Sequence, residues 1–216
     1  QRSGPLYLTH SATVTLDGPT SAVVLYSDRS PLAQAIYLEG EQWLGLRNMN
    51  VQCDYLMIAP KRFIQAIEPL AAFRNNEGLA VQVVPAESIY QEFGGGFPGA
   101  EPIKDFVRFA RQRWGRPRYL LLVGDACAVS AIKTWLPTRS FNTLGGAHAS
   151  DQWFAKVEGD ETFPNLAVGR ISATEPAHVT TAVNKIIERE RSITGGQWRN
   201  EALFIVAPTK WAFRSV

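Results

Sequence analysis

The sequence predicts an α/β fold, with a largely parallel sheet flanked by helices and preceded by a small antiparallel β appendage. From Cys53 onward, short continuous apolar runs alternate with segments of helical period, which is typical of βαβ units. Before Val51, strand-like runs alternate with turn signals and no helical period is visible. We therefore predict a β appendage over 1–51, the end of a preceding segment or domain, and an α/β domain over 52–216.

The appendage contains several strand-like stretches. Residues 12–16 alternate between polar and apolar, and 22–26 is apolar. Residues 35–38 and 43–46 flank Gly40 and predict a hairpin.

Five largely apolar runs in the α/β domain predict strands, and the continuous run at 55–59 suits a strand that helices cover on both faces, as in a parallel sheet. These runs lie at 55–59, 79–84, 119–123, 166–169 and 202–207. Three helices are predicted between them: 61–76 with a stop at Gly78, a stretch striped from Ile103 to Trp114, and a helix that Thr174 opens as its N-cap.

Composition excludes several function classes. The 216 residues are 45% hydrophobic and carry a net charge of +2, with lysines and arginines spread along the chain. Because a nucleic-acid-binding domain concentrates positive charge on one face, we expect no nucleic-acid partner. The densest basic run flanks a predicted helix end and is interpreted as a solvated face; it comprises Arg111, Arg113, Arg116 and Arg118. We expect no membrane span in this chain, since no apolar run approaches the roughly 20 residues required.

The cysteines and histidines give no catalytic or metal pattern by themselves. Cys53 and Cys127 lie in or beside apolar runs, so both are predicted to be buried, and no Cys/His spacing matches a zinc site. His10 and His178 are interpreted as structural or surface residues. A Cys127–His148 dyad is disfavoured, because nothing in the spacing brings the two together.

Candidate site residues follow the strand at 119–123. Asp125 would lie at the carboxyl edge of the sheet, where open α/β sheets build their sites. It could cap the next turn, orient a histidine or hold a metal. The connection at 126–165 is long enough to predict a functional loop.

An acidic cluster in this connection suggests calcium as one alternative. Glu158, Asp160 and Glu161 offer the hard oxygen ligands that calcium prefers. The cluster lacks the spacing of an EF-hand, so solvated loop charges are the other alternative.

An ordered series of segments resembles the gingipain family of cysteine peptidases. The segments are 54–60 (DYLMIAP), 119–125 (YLLLVGD), 150–154 (SDQWF), 158–160 (EGD), 168–173 (VGRISA), 185–191 (KIIERER), Trp198 and 202–207. The resemblance implies a caspase-like fold and proteolysis by a cysteine and a histidine. In the family these two follow the matched stretch, the histidine in a Gly-His-Gly motif, and neither motif occurs before Val216. The catalytic domain is therefore expected to be incomplete at its C-terminus, and Cys127 does not match the nucleophile.

The resemblance also implies roles for particular residues. Asp151 matches an aspartate that, in arginine-specific members, lies in the pocket for the substrate residue before the cut. Asp151, Gln152 and Trp153 are thus expected to bind substrate, with a preference for Arg or Lys as one option. Asp125 lies near the acid that orients the catalytic histidine. Gingipains also bind calcium, which favours a calcium site around Asp160.

Three functions remain open on the sequence alone. The first is the substrate-binding front portion of a secreted or cell-surface cysteine endopeptidase. Its partners would be a polypeptide substrate and the C-terminal remainder of its own catalytic domain. The second is a non-catalytic gingipain-like binding or secretion module, and the third is an unrelated doubly wound domain that binds a small molecule. Because Gln1 is not a natural translation start, we expect a processed or excised piece. This piece alone is expected to be inactive, because it lacks the family's catalytic histidine and cysteine motifs.

Overall fold

The computed structural model describes residues 44–126, 135–143, 146–159, 163–192, 196 and 201–202. The chain divides into two compact units, Gln1–Leu44 and Gly45–Val216. Almost all of the predicted appendage, and nearly all of the predicted strand at 202–207, lie outside the described residues. The division at residue 51 therefore stays a prediction.

The described residues contain six strands. They are β1 (Tyr55–Ala59), β2 (Val81–Pro85), β3 (Tyr119–Val123), β4 (Arg139–Thr143), β5 (Gly146–Ser150) and β6 (Ala167–Ile171). Four of them form one sheet in the order β2-β1-β3-β6, and all three pairings are parallel. The four carboxyl ends therefore share one edge, and the prediction of a parallel α/β sheet is confirmed.

Helices cover both faces of this sheet. They are α1 (Lys61–Asn76), α2 (Ala86–Phe93), α3 (Ala100–Arg113) and α4 (Pro176–Arg191). Successive strand residues point to opposite faces, so Leu56 and Ile58 pack with α2 and α3, whereas Met57 and Ala59 pack with α1 and α4. This two-sided burial explains why the central strands β1 and β3 are continuously apolar, whereas the edge strands β2 and β6 each include a polar residue, Gln82 and Arg170.

The predicted structureless connection is partly ordered. It contains the antiparallel hairpin β4–β5 and a 3-10 helix at Asp151–Ala155. The hairpin strands hold few β-branched or aromatic residues, so strand propensity is low there and the hairpin was not predicted.

Three local predictions need correction. In the predicted hairpin strand at 43–46, Leu44 and Gly45 have no regular structure, and Leu46 begins a 3-10 helix (Leu46–Asn48) and is buried in the α/β core. α2 was not predicted, since its eight residues are too few to show a helical period. α4 has Glu175, not Thr174, as its N-cap, because Pro176 already begins the helix. The Thr174 hydroxyl instead lies 3.4 Å from Nδ1 of His178, which is exposed as predicted.

Candidate functional site

Asp125 lies just beyond the carboxyl end of β3, as the sequence predicts. Its backbone N–H donates to the carbonyl of Ala173 (2.9 Å), so the pairing between β3 and the chain after β6 continues past the strand ends. Its carbonyl accepts the N–H groups of Trp135 (3.0 Å) and Leu136 (3.2 Å). Among the described residues, no side chain pairs with the Asp125 carboxylate. The backbone is thus fixed, while within the described part of the chain the carboxylate is available.

Gly124 allows the chain to turn at this point. Its φ is +129°, and a Cβ placed on it would lie 3.2 Å from Cβ of Trp135 and 3.3 Å from Cβ of Leu136. A side chain would therefore be both strained and crowded. Glycine at this position lets residues 135 and 136 pack against the end of β3.

Asp151 lies at the end of β5, where it begins the 3-10 helix. Arg170 of β6 binds it through two parallel hydrogen bonds, from Nε to Oδ2 and from Nη2 to Oδ1, each 2.7 Å long. The Thr138 hydroxyl donates to Oδ1 at 2.8 Å. Asp151 thus pairs with a guanidinium of its own chain, and its pairing with a basic side chain of the substrate stays a prediction.

The environment of Asp151 acts on its pKa in two directions. Burial raises the pKa of the carboxyl, whereas the hydrogen bonds and charge of Arg170 and the Thr138 hydroxyl lower it. The net result is a pKa below the ordinary value of an aspartate. Asp151 is therefore a carboxylate at neutral pH.

The two aspartates face one cleft of about 190 Å³ at the carboxyl edge of the sheet. The described residues that line it are Asp125, Ala126, Thr138, Ala149, Asp151, Arg170 and Ser172. Gln152 and Trp153 lie outside this set. Gln152 is exposed, and the half-buried Trp153 ring lies against the charged groups of Lys104 (4.4 Å) and Arg139 (5.2 Å).

Glu158 is engaged in ion pairs, not in this cleft. Its carboxylate accepts from Nε of Arg111 and Nη2 of Arg116, each at 3.2 Å. Arg111 is therefore a half-buried ion-pair partner, not part of a solvated face as predicted, while Arg116 is largely exposed. Asp160 and Glu161 lie outside the described residues, within which no group of acidic, His and Cys side chains could hold a metal ion. Calcium stays a prediction.

Cys53 is buried, as predicted, and burial raises the pKa of its thiol to about 12. A thiol with this pKa is not a nucleophile at neutral pH. His148 is exposed on β5, and Cys127 lies outside the described residues.

Sequence reasoning missed Arg170, Thr138 and Ser172 as residues of this cleft. One signal was present: an arginine interrupts the apolar run Val168-Gly169-Arg170-Ile171. A charge at a largely buried position needs a partner, so a paired carboxylate could have been predicted there.

The parallel sheet, with an acidic cleft at its carboxyl edge, defines an α/β domain whose site is built beyond the strand ends. Comparison with known families identifies it more closely. The sequence model of peptidase family C25 matches residues 48–212. The chain therefore belongs to peptidase family C25, which confirms the resemblance to gingipains.

Individual relatives agree with this family. The chain is 27% identical to gingipain R2 and 26% identical to gingipain R1 of Porphyromonas gingivalis, over 154 residues in each case. These matches cover 70% of this chain, but 19% of gingipain R2 and 14% of gingipain R1. The chain thus spans a fifth or less of the length of these relatives.

Solved structures share the fold. Dimeric latent PorU from Porphyromonas gingivalis superposes with a TM-score of 0.60 at 24% identity, covering 73% of this chain and 17% of PorU. The complex of the RgpB pro- and mature domains from the same species gives a TM-score of 0.50 at 25% identity, covering 62% of this chain and 28% of that one.

Proposed function

We propose that this chain is the substrate-side portion of a cysteine endopeptidase whose catalytic histidine and cysteine come from the remainder of the parent protein. Membership of family C25 supports proteolysis as the activity. The observation that carries the proposal is the available Asp125 carboxylate at the end of β3, in one cleft with Asp151. Asp125 would accept a hydrogen bond from the histidine and fix its tautomer, so that the histidine can exchange protons with the cysteine and the leaving amine.

The substrate would lie across the strand ends as an extended polypeptide. We propose that Asp151 contacts its side chain before the cut, with a preference for Arg or Lys. A carboxylate has about four lone-pair sites, of which Arg170 and Thr138 use three, so a substrate cation would share this carboxylate with Arg170. A related solved structure is described as the Arg-specific cysteine proteinase gingipain R, which supports this preference.

Two further features belong to this proposal. The parent would act outside the cell or at its surface, as its relatives imply. A calcium ion near Glu158, Asp160 and Glu161 would stabilise the protein and take no part in the chemistry. None of the helices within the described ranges has the length and hydropathy to cross a membrane.

The test is hydrolysis of peptide reporters by the complete parent protein. We expect Asp125→Asn to lower kcat by about a hundredfold or more, because proton transfer through the histidine would be impaired. Asp151→Asn should reduce the ratio of kcat/KM for basic over neutral substrates by about tenfold or more, the effect of one charge-assisted hydrogen bond.

The control is Asp105→Asn, which removes a carboxylate from the exposed Asp105–Arg108 pair on α3. This variant should leave kcat, and the ratio of kcat/KM for basic over neutral substrates, within about twofold of wild type. The reason is that exposed ion pairs contribute little to stability. An intact parent that cleaves no peptide would refute the endopeptidase proposal and leave the non-catalytic module in its place.

A further inference from the structure

Arg170 connects the separate segments that build the cleft. Besides its two bonds to Asp151, its Nη1 donates to the carbonyls of Gly124 (2.8 Å) and Leu136 (2.9 Å), and its Nη2 to that of Pro137 (3.5 Å). A guanidinium has five N–H groups, and all five are used here. The side chain is only 9% exposed, so these bonds form largely away from water.

We propose that Arg170 is the positioning residue of this cleft, which holds both aspartates in one fixed arrangement and thereby sets substrate affinity. The proposal rests on the proposed peptidase function. Arg170 binds the Asp151 carboxylate directly, and through the Gly124 carbonyl it holds the residue next to Asp125. The two acidic groups thus share one rigid support.

A lysine could not replace this side chain. Its ammonium has three donors around a single point, whereas the planar guanidinium spans two carboxylate oxygens and three carbonyls at once. Arg170→Lys keeps the charge and the approximate length but must leave some of these acceptors unpaired. The Arg170→Lys variant therefore tests whether the cleft needs the hydrogen-bond geometry of the guanidinium or only its positive charge.

The experiment measures kcat and KM of the complete parent with a basic peptide reporter, normalised to active sites titrated by a covalent cysteine inhibitor. We expect Arg170→Lys to raise KM by about tenfold, the scale of a lost charge-assisted hydrogen bond, because Asp151 is no longer held in place. A residue that only stabilises the fold would instead lower the titratable fraction and leave KM per active site unchanged.

Arg74→Lys is the matched control. Arg74 also binds a carboxylate with two parallel bonds, to Glu190 at 2.5 and 2.6 Å, and its side chain is 18% exposed. It lies near the end of α1 and joins this helix to α4, away from the cleft residues. Its replacement should lower the melting temperature and leave KM unchanged.

Chemical rescue provides a second readout. Added guanidinium at millimolar concentrations should raise kcat/KM of the Arg170→Ala variant several-fold. Ammonium at equal ionic strength should not raise it. The inference is overturned if Arg170→Lys and Arg74→Lys give the same KM, or if guanidinium and ammonium act alike. Failure of the proposed function would look different, because the wild-type parent would then be inactive.

Discussion

At the scale of single residues, the ionisation of Asp151 depends on one neighbour. Its pKa in the folded chain lies below the ordinary value because Arg170 and Thr138 outweigh the effect of burial. A carboxyl with a lowered folded pKa stabilises the fold above its unfolded pKa, near 4, and this contribution is lost as the pH falls through the folded pKa. The Asp151–Arg170 pair should therefore weaken in acid.

We predict that Asp151→Asn is less stable than wild type at pH 7, by about 1–3 kcal/mol, and that the difference shrinks below about pH 4. The neutral amide of the Asp151→Asn variant cannot form the ion pair with Arg170. In acid, the protonated carboxyl of wild-type Asp151 loses this ion pair as well. Urea unfolding of the 216-residue chain between neutral and acid pH measures this. Asp105→Asn should follow wild type throughout. A stability difference that is constant with pH would contradict the prediction.

Cys53 offers a second residue-scale prediction, on thiol reactivity. Because burial raises the pKa of this thiol to about 12, almost no thiolate is present at pH 8. In a Cys127→Ser variant, where Cys53 is the remaining thiol of the two in the sequence, a chromogenic disulfide should react slowly in buffer and rapidly in concentrated urea. Equal rates under the two conditions would mean that Cys53 is accessible in the native state.

At the scale of elements, the central strands β1 and β3 were predictable because both of their faces are buried. The run Leu120-Leu121-Leu122-Val123 is apolar throughout, since alternate residues enter two different cores. The hairpin β4–β5 was missed for the opposite reason. None of its side chains that the structure describes belongs to either core, and its sequence carries little hydrophobic pattern.

Gly124 carries the element-scale prediction, because β3 can only meet residues 135 and 136 if no Cβ intervenes. We expect Gly124→Ala to destabilise the chain by about 2–4 kcal/mol, from a positive φ combined with steric overlap. The measurement is the melting temperature.

The matched control for this prediction is Gly78→Ala. Gly78 also has a positive φ, of +87°, but a Cβ placed on it would have no atom within 4 Å. Gly78→Ala should therefore lose about 1 kcal/mol of stability, from backbone strain alone. If both variants lose the same stability, crowding at Gly124 is not important.

At the scale of the whole molecule, more of the fold than of the candidate site could be predicted from the sequence. Alternating apolar runs and helical stripes are local in sequence, and they were sufficient for the parallel sheet. The Arg170 contacts are not local, because residues 124, 136, 137 and 151 approach Arg170 only after the sheet has formed. Sequence patterns placed Asp125 and Asp151 near the same edge, but they could not show that one guanidinium holds both segments.

The whole-molecule prediction concerns activity. We expect the pure 216-residue chain to cleave neither arginyl nor lysyl peptide reporters, because the proposed histidine and cysteine belong to the remainder of the parent. Cys53 cannot take the place of that cysteine, because it is buried and its thiol pKa is raised to about 12. The complete parent, assayed in parallel, is the positive control. Turnover by the isolated chain that survives repurification would refute this prediction.

The double acceptance by the Asp125 carbonyl has a consequence for protein engineering. The N–H groups of Trp135 and Leu136 donate to the carbonyl oxygen of Asp125, which directly precedes Ala126, so both ends of the intervening stretch are attached at Asp125. The entropic cost of closing this loop would rise only slowly with the number of residues inserted. A reporter peptide or a small tag could therefore be grafted between 126 and 135 without displacing either neighbouring strand.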